Sequence, residues 1–140
     1  MRLATGTTIL AIGVALAGTA MADEPPSLLG TWKGKAEAVY IGPTPYRTPE
    51  DRGVNFGDEI EVTYVIGQQE GARFAGETSG KFVETVIGAL RPPEFTSGVM
   101  LDDDGTYEFT LRDADTLDAC YSHLYPTSKV VVCFTLVRQP

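Results

Sequence analysis

Two cysteines and a single histidine are the residues of this chain best suited to covalent or acid–base chemistry. Cys120 and Cys133 form an even pair, which in an oxidising compartment is typical of a disulfide. A zinc site would need more ligands of this kind, and His123 is the only histidine in the sequence. We therefore predict a Cys120–Cys133 disulfide, no metal, no cofactor and a structural role for His123.

The acidic residues do not form a catalytic pattern. Asp102–Asp104 offers oxygen ligands for calcium, but the alternating acids and the closing glutamate of an EF-hand loop are missing. This run is better interpreted as a hairpin turn in which Gly105 adopts a positive φ. No Ser-His-Asp spacing and no paired carboxylates can be recognised, although catalytic groups are assembled in space. We predict that the protein is not an enzyme.

Aromatic residues are the candidate ligand contacts, because they recur on the predicted inward faces of the strands. One interpretation is that these rings fill the interior, with their hydroxyls bonded to one another or to water. The other is that they line a pocket for a small molecule. The predicted ligand-binding residues are Tyr40, Tyr64, Phe74, Tyr107 and Tyr121, together with Tyr46 and Phe56 from the longest connection.

Alternation of polar and apolar residues predicts strands throughout and almost no helix. The predicted strands span 30–41, 59–66, 73–78, 81–90, 95–101, 106–112, 116–124 and 129–138. Tight turns, among them 68–71, join most of these strands, and one long connection, Gly42–Asp58, follows the first. Such a meander favours an all-β fold, an eight-stranded antiparallel up-and-down barrel, because closure removes exposed sheet edges.

The last hairpin has a register that can be predicted from its turn. If Leu124 pairs with Lys129 across residues 125–128, then Cys120 lies directly opposite Cys133 on the outer face. Closing a loop this short contributes about 3 kcal/mol to stability by the loop-entropy argument.

The connections at 42–58, 79–80, 102–105 and 125–128 are expected to share one end of the barrel. The other end is expected to contain Trp32, Gln68–Gly71, Pro92-Pro93 and Asp113–Asp115. The long Gly42–Asp58 connection is then either a lid or partner-binding tongue at the mouth, or a solvated Ω-loop that packs its aromatic residues on the rim.

The chain has 140 residues and a formal net charge of −8. Residues 1–22 contain Arg2, an apolar run at 9–17 and Ala20-Met21-Ala22, a pattern typical of a secretory signal peptide. We predict a signal peptide at 1–22, an N-terminal segment at 23–29 and a barrel domain at 30–140, with a periplasmic or secreted location. The negative charge argues against nucleic-acid binding, and no membrane span is expected after cleavage.

Gly30-Thr31-Trp32, at the start of the first strand, is similar to the Gly-x-Trp signature of the calycins, which include lipocalins and avidins. Residues 74–78 are similar to the run around the third strand of avidins. The resemblance implies an eight-stranded barrel in which Trp32 closes the end near the N-terminus. It does not imply biotin binding, because the residues that hold biotin cannot be mapped here and the Gly42–Asp58 connection looks more like a lipocalin lid.

Two hypotheses of function follow. The first is an exported barrel that binds a small, largely apolar molecule in its aromatic interior, and it predicts a real cavity. The alternative is a protein-interaction module, such as an inhibitor of an exported hydrolase or protease. It would act through residues 23–29 and the 42–58 loop, and it predicts a filled barrel with one of these segments presented outward. The sequence does not indicate an oligomeric state.

Overall fold

The structure, a computed structural model, describes residues 24–44, 53–79 and 82–140. These residues form ten β-strands and no helix. In chain order the strands are β1 (Gly30–Ala36), β2 (Val39–Ile41), β3 (Val54–Phe56), β4 (Ile60–Glu70), β5 (Arg73–Ser79), β6 (Thr85–Leu90), β7 (Ser97–Leu101), β8 (Thr106–Asp113), β9 (Thr116–Leu124) and β10 (Lys129–Arg138). No described segment therefore forms a helix that could cross a membrane.

All pairings between these strands are antiparallel, and the sheet closes on itself. From β4 to β10 each strand pairs with the next strand along the chain. β1 pairs with β4 on one side and with β10 on the other, which completes the ring. The result is a closed eight-stranded antiparallel barrel with up-and-down connectivity, and the predicted fold class is confirmed.

The short strands β2 and β3 extend two barrel strands. β2 pairs with β10 in the same register as β1, so the two form one strand interrupted at Glu37 and Ala38. β3 pairs with β2 on the side that β4 occupies on β1. The predicted first strand, 30–41, is therefore correct apart from the interruption. β3 was not predicted, because three residues are too few to show an alternating pattern.

Three strand boundaries differ from the prediction by two residues or more. β4 continues to Glu70, because a register shift between Ile66 and Gln68 accommodates Gly67 and lets pairing with β5 resume. The predicted turn at 68–71 therefore begins only at Gly71. β6 and β7 begin at Thr85 and Ser97, later than predicted, and residues 80–81 lie outside the described residues.

The hairpin of β9 and β10 has the predicted register. Leu124 pairs with Lys129 and Cys120 pairs with Cys133. The two cysteines are joined in a disulfide whose sequence separation is 13, and both lie exposed on the outer face. On the inner face of the same hairpin, Ala119 is buried opposite Phe134.

Trp32 lies at one end of the barrel interior with only 1% of its surface exposed. Its indole Nε1–H donates a hydrogen bond of 2.8 Å to the carbonyl oxygen of Leu28. The guanidinium carbon of Arg138 lies 4.4 Å from the centre of the indole ring, a cation–π arrangement. Trp32, Leu28 and Arg138 therefore close this end of the barrel.

The described part of the N-terminal segment, residues 24–29, packs against this closed end. Leu28 is 3% exposed, and its N–H donates to Oε1 of Gln69 at 2.7 Å. The Gln69 side-chain amide donates in turn to the carbonyl of Pro26 at 2.9 Å. Arg138 donates to the carbonyls of Ser27 and Leu29. Residues 24–29 are therefore fixed to the barrel, because the Leu28 side chain and several backbone groups of the segment find partners there.

The half of the interior next to Trp32 is filled by side chains. The void that remains there measures about 20 Å³. Phe74 and Phe109 meet edge to face with their centroids 5.9 Å apart. The Phe74 ring also lies over Gly88, where an added Cβ would come within 2.3 Å of its Cζ. Gly88 thus makes room for a ring, and in this half the aromatic residues fill the barrel.

Candidate functional site

The other half of the interior contains a cavity of about 400 Å³. Small-molecule sites in proteins measure roughly 300–1,000 Å³, so the volume suits a small ligand. Thr44, Asp58, Ser79 and Asp102 belong to its wall, and these residues lie in or beside the connections predicted to form the mouth. The apolar part of the wall is formed mainly by Ala36, Ile60, Val62, Val130, Val132 and Phe134.

Tyr64 and Tyr107 line the cavity deep in the barrel and are held by hydrogen bonds. The Tyr64 hydroxyl donates to the Tyr107 hydroxyl at 3.1 Å, and the Tyr107 hydroxyl donates to a carboxylate oxygen of Asp102. Burial, followed by the neighbouring Tyr64 and Asp102, raises the pKa of Tyr107 above its ordinary value. Tyr107 is therefore a permanent hydrogen-bond donor, and these two rings form a fixed part of the wall.

Tyr121 and His123 form a second hydrogen-bonded group in the wall. The Tyr121 hydroxyl lies 3.0 Å from His123 Nδ1, and His123 Nε2 lies 3.2 Å from the Ser128 hydroxyl. The histidine is only 8% exposed. Burial, with smaller effects of Asp102 and Asp104, raises the pKa of Tyr121. Both ring nitrogens of His123 therefore have a hydrogen-bond partner within the wall.

Asp102 shapes the turn between β7 and β8. Its Oδ1 accepts the backbone N–H groups of Asp104 at 3.0 Å and Gly105 at 2.7 Å, which is the pattern of an Asx turn. The hairpin-turn interpretation of residues 102–105 therefore agrees with the structure. Gly105 does not adopt the predicted positive φ. It is needed for a close approach, because a Cβ there would lie 2.5 Å from the Tyr121 ring.

Glu84 is an acidic residue of the cavity wall that sequence reasoning did not identify. Thr78 fixes its position: the Glu84 N–H donates to the Thr78 hydroxyl at 3.0 Å, and the Thr78 N–H donates to the Glu84 carbonyl at 2.9 Å. Burial and then the charges of Asp102, Asp104 and Asp103 raise the pKa of Glu84 to about 7. Its charge therefore changes near neutral pH.

Replacing Glu84 by glutamine is expected to stabilise the protein at pH 8 and to have little effect near pH 4.5. The pKa of Glu84 is about 7 in the folded protein, whereas its ordinary value is 4.5. Ionisation of this carboxyl therefore lowers the free energy of unfolding as pH rises through this interval. After allowance for solvent screening of this half-buried group, we expect E84Q to gain about 1 kcal/mol at pH 8. Urea unfolding at both pH values measures the difference. Glu77→Gln, an exposed change on β5, is the control, and an equal gain in both variants would contradict the assignment.

The structure brings together four of the predicted ligand-binding residues. Tyr40, Tyr64, Tyr107 and Tyr121 all line the cavity. Phe74 lies in the filled half and is not part of the cavity wall.

The two residues predicted from the long connection are not part of the described wall. Phe56 is 84% exposed on β3 and is absent from the cavity lining, while Tyr46 lies outside the described residues. The residues that sequence reasoning missed as site residues are the acids Glu84, Asp102 and Asp104. Glu84 lies two positions before the inward-facing Val86, and Asp102 lies two positions after the inward-facing Met100. Because alternate residues of a strand share a face, this spacing could have identified both acids as wall residues.

Comparisons with known proteins were made for the whole chain. Scans against protein-family models and against curated proteins found no match. Among solved structures, the chain is similar to the crystal structure of a protein of unknown function from the DUF3598 family of Nostoc punctiforme. The two are 20% identical with a TM-score of 0.49, and the match covers 88% of this chain and 53% of that chain. This chain thus spans about half the length of that protein.

No group of histidine, cysteine or acidic side chains that could hold a metal ion occurs among residues 24–44, 53–79 and 82–140. The described wall can therefore offer a ligand apolar contact, aromatic faces, hydroxyl groups and carboxylates.

Proposed function

We propose that this barrel binds a small, largely apolar molecule in the cavity at its mouth end. One observation carries the proposal: the interior is packed to a residual void of about 20 Å³ in one half and open to about 400 Å³ in the other. Protein interiors pack as densely as organic crystals, so an interior that stays open in only one half is unusual for a purely structural core.

The cavity wall has the composition of a preformed small-molecule site. Aliphatic side chains and phenyl rings supply most of its surface, and a few hydroxyl groups converge on it. The Tyr64–Tyr107 and Tyr121–His123 hydrogen bonds hold the rings in place before any ligand arrives. Such preorganisation supports binding, because little side-chain entropy is lost when the ligand enters.

We further propose that the barrel is calycin-like and that it is exported, acting in the periplasm or outside the cell. It is proposed to bind its ligand without chemical conversion. The Gly30–Trp32 signature and the sealed position of Trp32 support the calycin-like part. The Cys120–Cys133 disulfide supports an oxidising compartment, as does the signal pattern of residues 1–22.

The alternative, an interaction module or hydrolase inhibitor, receives less support. It requires residues 23–29 or the 42–58 loop to be presented to a partner protein. Residues 24–29 are packed on the closed end, and the interior that this hypothesis expects to be filled contains a cavity.

Val132→Trp tests the proposal, with Val131→Trp as the matched control. Val132 lines the cavity, whereas the adjacent Val131 is 51% exposed on the outer face of β10. In a fluorescence titration with the neutral apolar probe N-phenylnaphthylamine, wild type and V131W are expected to bind with equal affinity. V132W is expected to bind at least about tenfold more weakly, because the indole occupies the space of the probe.

Circular dichroism of both variants shows whether the barrel remains folded. Absence of any fluorescence enhancement with wild type, or equal affinities of folded V131W and V132W, would contradict ligand binding in the cavity.

A further inference from the structure

The described wall of the cavity carries acidic side chains and no basic ones. Acidic residues lie in it toward the mouth, while none of the described residues that line it is lysine or arginine. Glu61 is directed to Lys33 outside the barrel, where the two charged groups are 3.5 Å apart. Glu84, Asp102 and Asp104 form no ion pair with any described residue. A carboxylate that is partly removed from water without a cationic partner lowers the stability of the protein. A positively charged ligand beside it would offset that cost.

Of Glu84, Asp102 and Asp104, only Glu84 has a carboxylate that accepts no hydrogen bond from a described residue, since Asp104 is hydrogen-bonded to Tyr125. Both oxygens of Asp102 already accept hydrogen bonds, one from Tyr107 and the other from the amides of its turn. No hydrogen bond from a described residue reaches the Glu84 carboxylate. Since Thr78 holds its backbone, Glu84 lies at a defined place on the wall.

Aromatic rings near these acids favour the same sign of ligand charge. The centroids of Tyr107 and Tyr121 are 4.7 Å apart, and Phe134 meets Tyr107 edge to face at 6.5 Å. All three line the cavity. The faces of such rings attract ammonium groups and repel anions.

We propose that the ligand is an organic cation, an amine whose apolar part lies against the tyrosine and aliphatic wall of the cavity. Its ammonium group is held beside Glu84, within the field of Asp102 and Asp104. This inference rests on the proposed function and adds the chemical class of the ligand. A cavity of about 400 Å³ accommodates a bicyclic aromatic amine together with its side chain.

Calorimetric titration of the full mature chain with three indoles of similar size tests the inference. Tryptamine carries a positive charge, tryptophol is neutral and indolepropionate is negative. At pH 8 and low salt, tryptamine is expected to bind at least about tenfold more tightly than tryptophol, because a charge-assisted hydrogen bond exceeds a neutral one. Indolepropionate is expected to show no measurable binding.

Glu84→Gln separates the charge from the shape of the cavity. This variant is expected to weaken tryptamine about tenfold and to weaken tryptophol by less than about threefold. Glu77→Gln removes the same charge from the exposed face of β5 and is expected to change neither affinity.

Lowering the pH from 8 to 5.5 provides a second readout. Tryptamine stays charged, while Glu84, whose pKa is about 7 in the free protein, becomes protonated. Wild type is expected to lose affinity for tryptamine several-fold, and E84Q to change little. Among the described residues, the charged and titratable groups near Glu84 are Asp102, Asp103 and Asp104 from the turn before β8, Tyr121 from β9 and Tyr125 from the next turn. His123 lines the same cavity. Loss of the pH dependence in E84Q would assign it to Glu84 rather than to His123.

The possible results separate the two proposals. If N-phenylnaphthylamine binds in the cavity but tryptamine binds no more tightly than tryptophol, the cationic class is wrong and the cavity remains a ligand site. Equal tryptamine affinities for E84Q and wild type would overturn the role of Glu84. If neither the probe nor any indole binds, both proposals fail.

Discussion

Trp32→Ala is expected to lower the free energy of unfolding by about 3–5 kcal/mol, the usual cost of removing a large aromatic side chain from a core. A domain of this size has a total stability of about 6–18 kcal/mol, so the loss is a large part of it. The site cannot collapse easily, because Trp32 is held between Leu28 and the guanidinium of Arg138.

Trp32→Phe is the control, since it keeps a ring but removes the hydrogen bond to the Leu28 carbonyl. It is expected to cost about 1–2 kcal/mol. Urea unfolding should be followed by far-ultraviolet circular dichroism, because Trp32 is the only tryptophan and its fluorescence is lost in both variants. A loss below about 1 kcal/mol in W32A would contradict the closing role of this side chain.

Replacing both cysteines by serine is expected to cost about 3 kcal/mol, the entropy of a short loop in the unfolded chain. The bond spans 13 residues and joins directly opposed positions of β9 and β10. Reduction of the wild-type protein is expected to give the same loss, and the free energy of unfolding from urea titrations measures both.

The affinity of the cavity for N-phenylnaphthylamine provides the control for the disulfide variant. Cys120 and Cys133 lie on the outer face, so C120S/C133S is expected to bind the probe as wild type does at a temperature where both are folded. Two free thiols in unreduced wild-type protein, or equal stability with and without reductant, would contradict the prediction.

The strands and the last hairpin could be predicted from sequence because their signals are local. The residues of a strand alternate between two faces, so one paired position fixes the rest of a ladder. For β9 and β10 the turn at 125–128 supplied that position, and the pairing of Cys120 with Cys133 followed.

The height of a side chain along the barrel axis could not be predicted. Alternation shows that Phe74 and Tyr121 both point inward, but not that one lies in the packed half and the other in the cavity. This depends on the stagger between neighbouring strands, which is a property of the closed barrel as a whole. Glu84 was missed because it lies before the first residue of β6, where the alternation of the predicted strand is unclear, so its spacing from the inward-facing Val86 was not recognised.

The hydrogen bonds between Arg138 and the N-terminal segment at the closed end have a consequence for the order in which the barrel assembles. The Arg138 guanidinium holds the Ser27 carbonyl, 111 residues earlier in the chain, and β1 remains half-paired until β10 arrives. As a polypeptide grows from its N-terminus, hairpins can form one after another, but the ring closes only when the last strand has been made. The cavity wall, to which β10 contributes Val130, Val132 and Phe134, is therefore among the last features of the molecule to exist. If the cavity binds a ligand as proposed, capture requires that β10 has already been made.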